Sequence, residues 1–145
     1  MKSERYDVDL LGSMNRAAPC CQDYDWDHEA HWGWRAAEIL RSISRWASRY
    51  RPHIVLIHLG ANDIHQSQSV ASTRSELEQI IDRIRNHVPD VVIFIAQIIP
   101  GNIRNKNRIC ELNEDILTLI SKKTGTVLSS AILLGFADSK KMAVT

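Results

Sequence analysis

The chain has 145 residues, of which 44% are hydrophobic and 24% charged, and carries a formal net charge of +1. That length suits one domain, residues 1–145, around one core, and the balanced charge gives no electrostatic case for nucleic acid or an anionic membrane as partner. No apolar run approaches the ~18–20 residues of a membrane-spanning helix.

Tyr6 to Ser13 reads as a short strand closed by Gly12-Ser13. Met14 to Trp34 holds Pro, Gly, Asp, His and Trp without a steady period and is expected to be a long loop, a length that in compact domains often marks function. From Trp34 to Tyr50 the spacing of Ala37, Leu40, Ile43, Ala47 and Tyr50 predicts an amphipathic helix, ended at Pro52. His53 to Leu59 is a β-branched apolar run that predicts a buried strand, followed by a tight Gly60-Ala61-Asn62-Asp63 loop. Ser69 to Val88 predicts a second helix with Leu77, Ile80, Ile81 and Ile84 inward, and with Ser72, Ser75 and Glu76 as capping groups. Val91 to Ile99 is a continuous apolar run of the kind that suits a parallel strand covered on both faces. Asn107 to Lys123 predicts a third helix with Ile109, Leu112, Ile116, Leu119 and Ile120 inward and Gly125 placed to cap it; Thr126 to Leu134 predicts a last strand.

Strands alternating with helices argue for a parallel sheet with helices on both faces, a three-layer α/β/α, flavodoxin-like architecture. In such sheets ligands bind beyond the carboxyl ends of the strands. The Asn62 amide is expected at that edge, where it can donate a hydrogen bond to a developing oxyanion. Cys20, Cys21 and Cys110 show no C-x-x-C spacing, so free thiols, one or more of them buried, are favoured over a zinc site or a bridge. No phosphate-cradling glycine-rich loop supports a nucleotide cofactor. No cofactor and no metal are implied. Met1 to Tyr6 lacks the apolar centre of a signal peptide, and localisation stays open.

Three blocks carry a family resemblance: Asp7 to Ser13, Asp25 to Arg35, and Leu59 to Asp63. In order and spacing they resemble the "VDFVGS" strand, "HEG-x-x-GW" loop and "GTND" loop of the SGNH (GDSL-type) hydrolases, nearest to the acetylxylan-esterase-like carbohydrate esterase family three. The likeness continues through Arg51 to Leu56, Pro89 to Val92, Ala96 to Pro100 and Leu112-Asn113. The resemblance implies serine esterase chemistry on acyl or acetyl esters of small molecules or carbohydrates. By position, Gly33 matches the family's oxyanion glycine and Asn62 its oxyanion asparagine. Ala30 stands where the family commonly has glycine. The family's Gly-Asp-Ser nucleophile block would precede Asp7, and its Asp-x-x-His-Pro block would follow Gly135-Phe136. Neither occurs in these residues, and the last histidine is His87.

Several other residues invite a role. Ser13 is expected to be structural rather than nucleophilic. His28 and His31 would act as bases, line the substrate pocket, or pin the loop by hydrogen bonds, the favoured reading. Trp26, Trp32 and Trp34 would stack on sugar rings or pack against the following helix, with His31, Trp32 and Trp34 as the substrate-binding candidates, and Trp46 is expected to be partly buried. His58 is expected in the core, His65 at the surface, and Asp63 as a cap on the turn that follows it. Without a nucleophile strand, the remaining strands would expose unpaired edges and apolar faces. The isolated chain is therefore expected to be marginally stable or aggregation-prone.

Overall fold

A computed structural model describes residues 8–15, 25–100, 103–123 and 127–130. Its elements in chain order are β1 (Met14–Asn15), β2 (Asp27–His28), α1 (Ala36–Tyr50), β3 (Ile54–Ile57), α2 (Ala61–His65), α3 (Val70–His87), β4 (Val92–Ala96), a 3-10 turn (Ile103–Asn105), α4 (Lys106–Lys122) and β5 (Val127–Ser130). β1 and β2 form a small antiparallel pair. The main sheet is parallel with order β3-β4-β5. Gly125, Cys20, Cys21 and residues 131–134 of the expected last strand lie outside the described residues.

The three long helices form where the apolar spacing predicts them, and their stripes make the core. Leu77, Ile80, Ile81 and Ile84 of α3 and Ile109, Leu112, Ile116 and Leu119 of α4 are buried together with Ile57, Ile93 and Ile95 of the sheet. The inward face of α1 carries Leu40, Ile43 and Ala47 as expected, but its flank is Ala36, Ile39 and Trp46 rather than Ala37 and Tyr50. The capping of α3 also differs from expectation. Ser69, not Ser72, is the N-cap; its hydroxyl accepts from the Ser72 N–H at 3.1 Å. Glu76 instead reaches back to accept from Gln68 Nε2 at 2.7 Å.

The sheet also departs from expectation. Val55 pairs with Ile93 and Ile57 with Ile95, whereas Ile54 pairs with Val92 and Leu56 with Phe94. Side chains alternate across a strand, so Ile54, Leu56, Val92 and Phe94 share the opposite face. Leu56 is 78% exposed and Ile54 58% exposed. All three long helices pack on the inner face, and none covers the outer one among the described residues. The reason is topological. Right-handed crossovers from β3 to β4 and from β4 to β5 step in one direction across the sheet, so α3 and α4 fall on the same side. The α/β/α layering is incomplete here.

The strand expected at Tyr6 to Ser13 does not pair over its described residues, and Val8, Leu10 and Leu11 are exposed. Two of its backbone donors go to side chains instead of a neighbouring strand. Leu10 N–H donates to Asp25 Oδ2 at 2.5 Å and Ser13 N–H to Glu29 Oε1 at 2.8 Å. The backbone N–H groups of Leu10 and Asp27 hold the Asp25 carboxyl below its ordinary titration range. Among the described residues no helix is long and apolar enough to cross a membrane.

Candidate active site

β3 ends at Ile57, and the chain turns through Gly60 into α2. Gly60 sits at φ 119°, and a Cβ there would come within 2.8 Å of Leu112 Cδ2. Only glycine serves, because the backbone is left-handed and α4 is pressed against it. The turn delivers Asn62 and Asp63 in the first turn of α2, at the carboxyl end of the sheet. Arg108 of α4 fixes the far end of that helix by donating to the carbonyls of Ile64 (3.1 Å) and Gln68. On the neighbouring strand end, both amide groups of Asn113 engage the backbone of Ile98, accepting at 2.7 Å and donating at 2.9 Å.

The loop that carries Gly33 docks onto α2. Asn62 Nδ2 donates to the Trp34 carbonyl at 2.8 Å, and Gln66 Nε2 donates to the Gly33 carbonyl at 3.3 Å. Gly33 is left-handed at φ 81° with open space around it. Its own N–H meets no acceptor among the described residues. Gly33 and Asn62, far apart in sequence, thus lie on one surface. A primary amide carries two N–H donors, so the Trp34 bond occupies one of Asn62's.

Asp63 does not cap the turn after it. It is buried, and its carboxylate accepts from the Ala36 N–H at 3.0 and 3.2 Å, the first residue of α1. Glu38 takes the adjacent Arg35 N–H at 2.7 Å. The first turn of a helix leaves its N–H groups without partners, and α1 starts beside α2, so the nearest carboxylate fills that need. Burial pushes the Asp63 carboxyl above its ordinary value, outweighing the opposing effect of the Ala36 hydrogen bond.

The histidines and tryptophans separate clearly. His31 stacks on Trp34 at 4.0 Å and on Trp46 at 5.3 Å, and Trp46 is buried. His28 Nδ1 accepts from the Ala30 N–H at 3.0 Å. Both histidines therefore pin the loop. Trp32 is 99% exposed. His58 is exposed just past the end of β3, not in the core, because the strand stops at Ile57. His65 is exposed and lies 3.2 Å from Asn105 Nδ2. Cys110 is an exposed free thiol. A cleft of about 430 Å³ lined by Arg51, His53, Asp90 and neighbours lies at the amino ends of β3 and β4, away from Asn62.

One residue that sequence reasoning passed over organises the loop. Glu29 accepts from Ser13 N (2.8 Å), Ser13 Oγ (3.0 Å), His31 Nε2 (2.9 Å) and Tyr50 Oη (3.2 Å). Ser13 is thereby engaged as a structural donor. Burial, and next the hydrogen bond to Glu29, raise the Tyr50 phenol above its ordinary value. The available signal was its place between His28 and Ala30-His31, the last of the acids Asp23, Asp25, Asp27 and Glu29 that recur at every second position.

Comparison with known proteins bears on the family and the fold. Residues 9–128 match the GDSL-like lipase/acylhydrolase family. A carbohydrate esterase family 3 from Talaromyces cellulolyticus is similar in structure with a TM-score of 0.77 and 31% identity, over 84% of this chain and 62% of that one. An acetyl esterase serine-to-alanine mutant with acetate ion gives the same TM-score, identity and coverage. A Clostridium thermocellum family 3 carbohydrate esterase has a TM-score of 0.71 and 27% identity, over 83% of this chain and 58% of that one. No curated protein matches the sequence. The chain thus spans under two thirds of the length of these structures. A family match across most of the chain, together with the shared fold, places it: this protein belongs to the GDSL-like lipase/acylhydrolase (SGNH) family.

Proposed function

We propose that this chain is the oxyanion-binding part of a carboxylic-ester hydrolase acting on acyl or acetyl esters, with acetylated carbohydrate as the substrate class. The chemistry is that of a serine acyl-enzyme, in which a tetrahedral oxyanion forms twice, once on acylation and once on hydrolysis. Gly33 supplies its backbone N–H and Asn62 the second N–H of its amide. The observation that carries the reading is the bond from Asn62 Nδ2 to the Trp34 carbonyl, which seats the Gly33 turn against α2. Donors held before the reaction need no reorganisation when charge develops, and removing one such donor costs roughly 10²–10³ in rate. The nucleophile and base are not supplied by these residues: Ser13 is committed to Glu29, and His31 to Glu29 and Trp34. The test is p-nitrophenyl acetate hydrolysis by the 145-residue chain. Turnover at the buffer rate is expected; hydrolysis above it that Asn62→Ala abolishes would overturn the assignment of nucleophile and base.

A second reading, a non-catalytic carbohydrate-binding remnant, is favoured by one observation, the full exposure of Trp32 beside Gly33. An indole face in that position stacks on a sugar ring. Calorimetry with an acetylated xylo-oligosaccharide distinguishes this reading: binding that Trp32→Ala removes supports it, and no binding overturns it.

A further inference from the structure

The Gly33 turn has no packing of its own. Gly33 faces open space, and Trp32 before it is fully exposed. Beside the Gln66 Nε2 bond to the Gly33 carbonyl at 3.3 Å, its geometry is set by its two shoulders, His31 and Trp34, which close the turn through the Trp34 N–H to His31 carbonyl bond at 3.3 Å. Asn62 holds Trp34. His31 is held by Glu29, and the two side chains are only 13% and 17% exposed. Through the same carboxylate Glu29 also ties down Ser13 at the β1 hairpin and Tyr50 at the end of α1. An ionised carboxylate is acceptor-only, with about four lone-pair sites, which suits four converging donors. A neutral amide of the same size presents its own N–H groups to two of them.

We propose that Glu29 is a positioning residue for the oxyanion site: through His31 and its stack on Trp34, it sets the direction of the Gly33 N–H. This rests on the reading of Gly33 and Asn62 as the donor pair. The role is indirect, since Glu29 reaches the turn only through its shoulder.

The test uses the isotopically labelled 145-residue chain, with sodium acetate as the oxyanion probe and NMR as the readout. In the wild type, acetate is expected to shift both the Gly33 backbone amide and the Asn62 side-chain amide. In Glu29→Gln and Glu29→Ala the Gly33 shift is expected to vanish, with acetate affinity falling about tenfold, the equivalent of about one lost hydrogen bond. The Asn62 shift should remain. Hydrogen exchange at Trp34 should accelerate at least about tenfold while Ile80 and Ile81 of α3 keep their protection, a split that a general loss of stability would not produce. Glu29→Gln keeps the side-chain volume and gives the reading if Glu29→Ala loses α3 protection. A Gly33 response and Trp34 exchange unchanged in a folded variant would overturn the role of Glu29 alone. No acetate response in the wild type would overturn the donor-pair reading, and the positioning role with it.

Discussion

The two faces of the sheet are built from the same kind of residue and have opposite fates. Ile93 and Ile95 of β4 are fully buried, while Ile54 and Leu56 of β3, in register with Val92 and Phe94, lie open. Hydrophobicity alone therefore does not tell which residues carry the fold. Area removed from water does, at roughly 25 cal/mol per Å². The inner face is covered by α1, α3 and α4, so its side chains contribute that free energy. Among the described residues the outer face is an apolar surface next to the outer edge of β3, the combination that favours association between chains.

The sharpest way to break this contrast is to change one residue on each face. Ile93→Ala is expected to cost about 2–5 kcal/mol, the range for truncating a core aliphatic side chain. Leu56→Ser should change stability by no more than about 0.5 kcal/mol and reduce self-association. Urea denaturation and sedimentation velocity measure the two effects. Equal destabilisation by both would show that the outer face is covered as well.

The junction between site and core offers a smaller lever. Asp63→Ala leaves the buried Ala36 N–H without its acceptor and should cost about 1–3 kcal/mol. Asp63→Asn keeps an acceptor but removes the titration. Because the folded-state pKa of Asp63 is raised above its ordinary value, its stabilising contribution is complete below that ordinary value. It is lost as pH rises through the folded pKa. Asp63→Asn should therefore gain stability relative to the wild type as pH rises above about 4, the ordinary aspartate value, as followed by urea midpoints against pH. A constant or narrowing difference would refute the assignment. The smallest effect is expected at Ser69, the N-cap of a helix that covers the inner face. Ser69→Ala should cost about 1 kcal/mol, visible as a lowered Tm with the Gly33 loop unaffected.

The helices were legible in the sequence because their apolar stripes recur at the helical period, and the α3 stripe appears as expected. The family blocks were legible because Gly33 and Asn62 stand in ordered motifs. Over its described residues the expected first strand does not pair, and the reason is not local: the N–H groups of Leu10 and Ser13 bond to carboxylates that come more than ten residues later. His58 was misread because an apolar run does not say where pairing stops. Asp63 was misread because the helix start that it satisfies lies 27 residues earlier.

By itself the sequence determined the parallel α/β class, the positions of the long helices and the family, since each rests on periodicity or on residues close together in the chain. Tertiary structure alone decided which face of the sheet is covered, that Asp63 serves α1, and that Glu29 gathers Ser13, His31 and Tyr50. The physical reason is common to all three. A buried donor, a carboxylate or an apolar face is satisfied by whatever group the fold brings next to it, and sequence distance does not encode that neighbour.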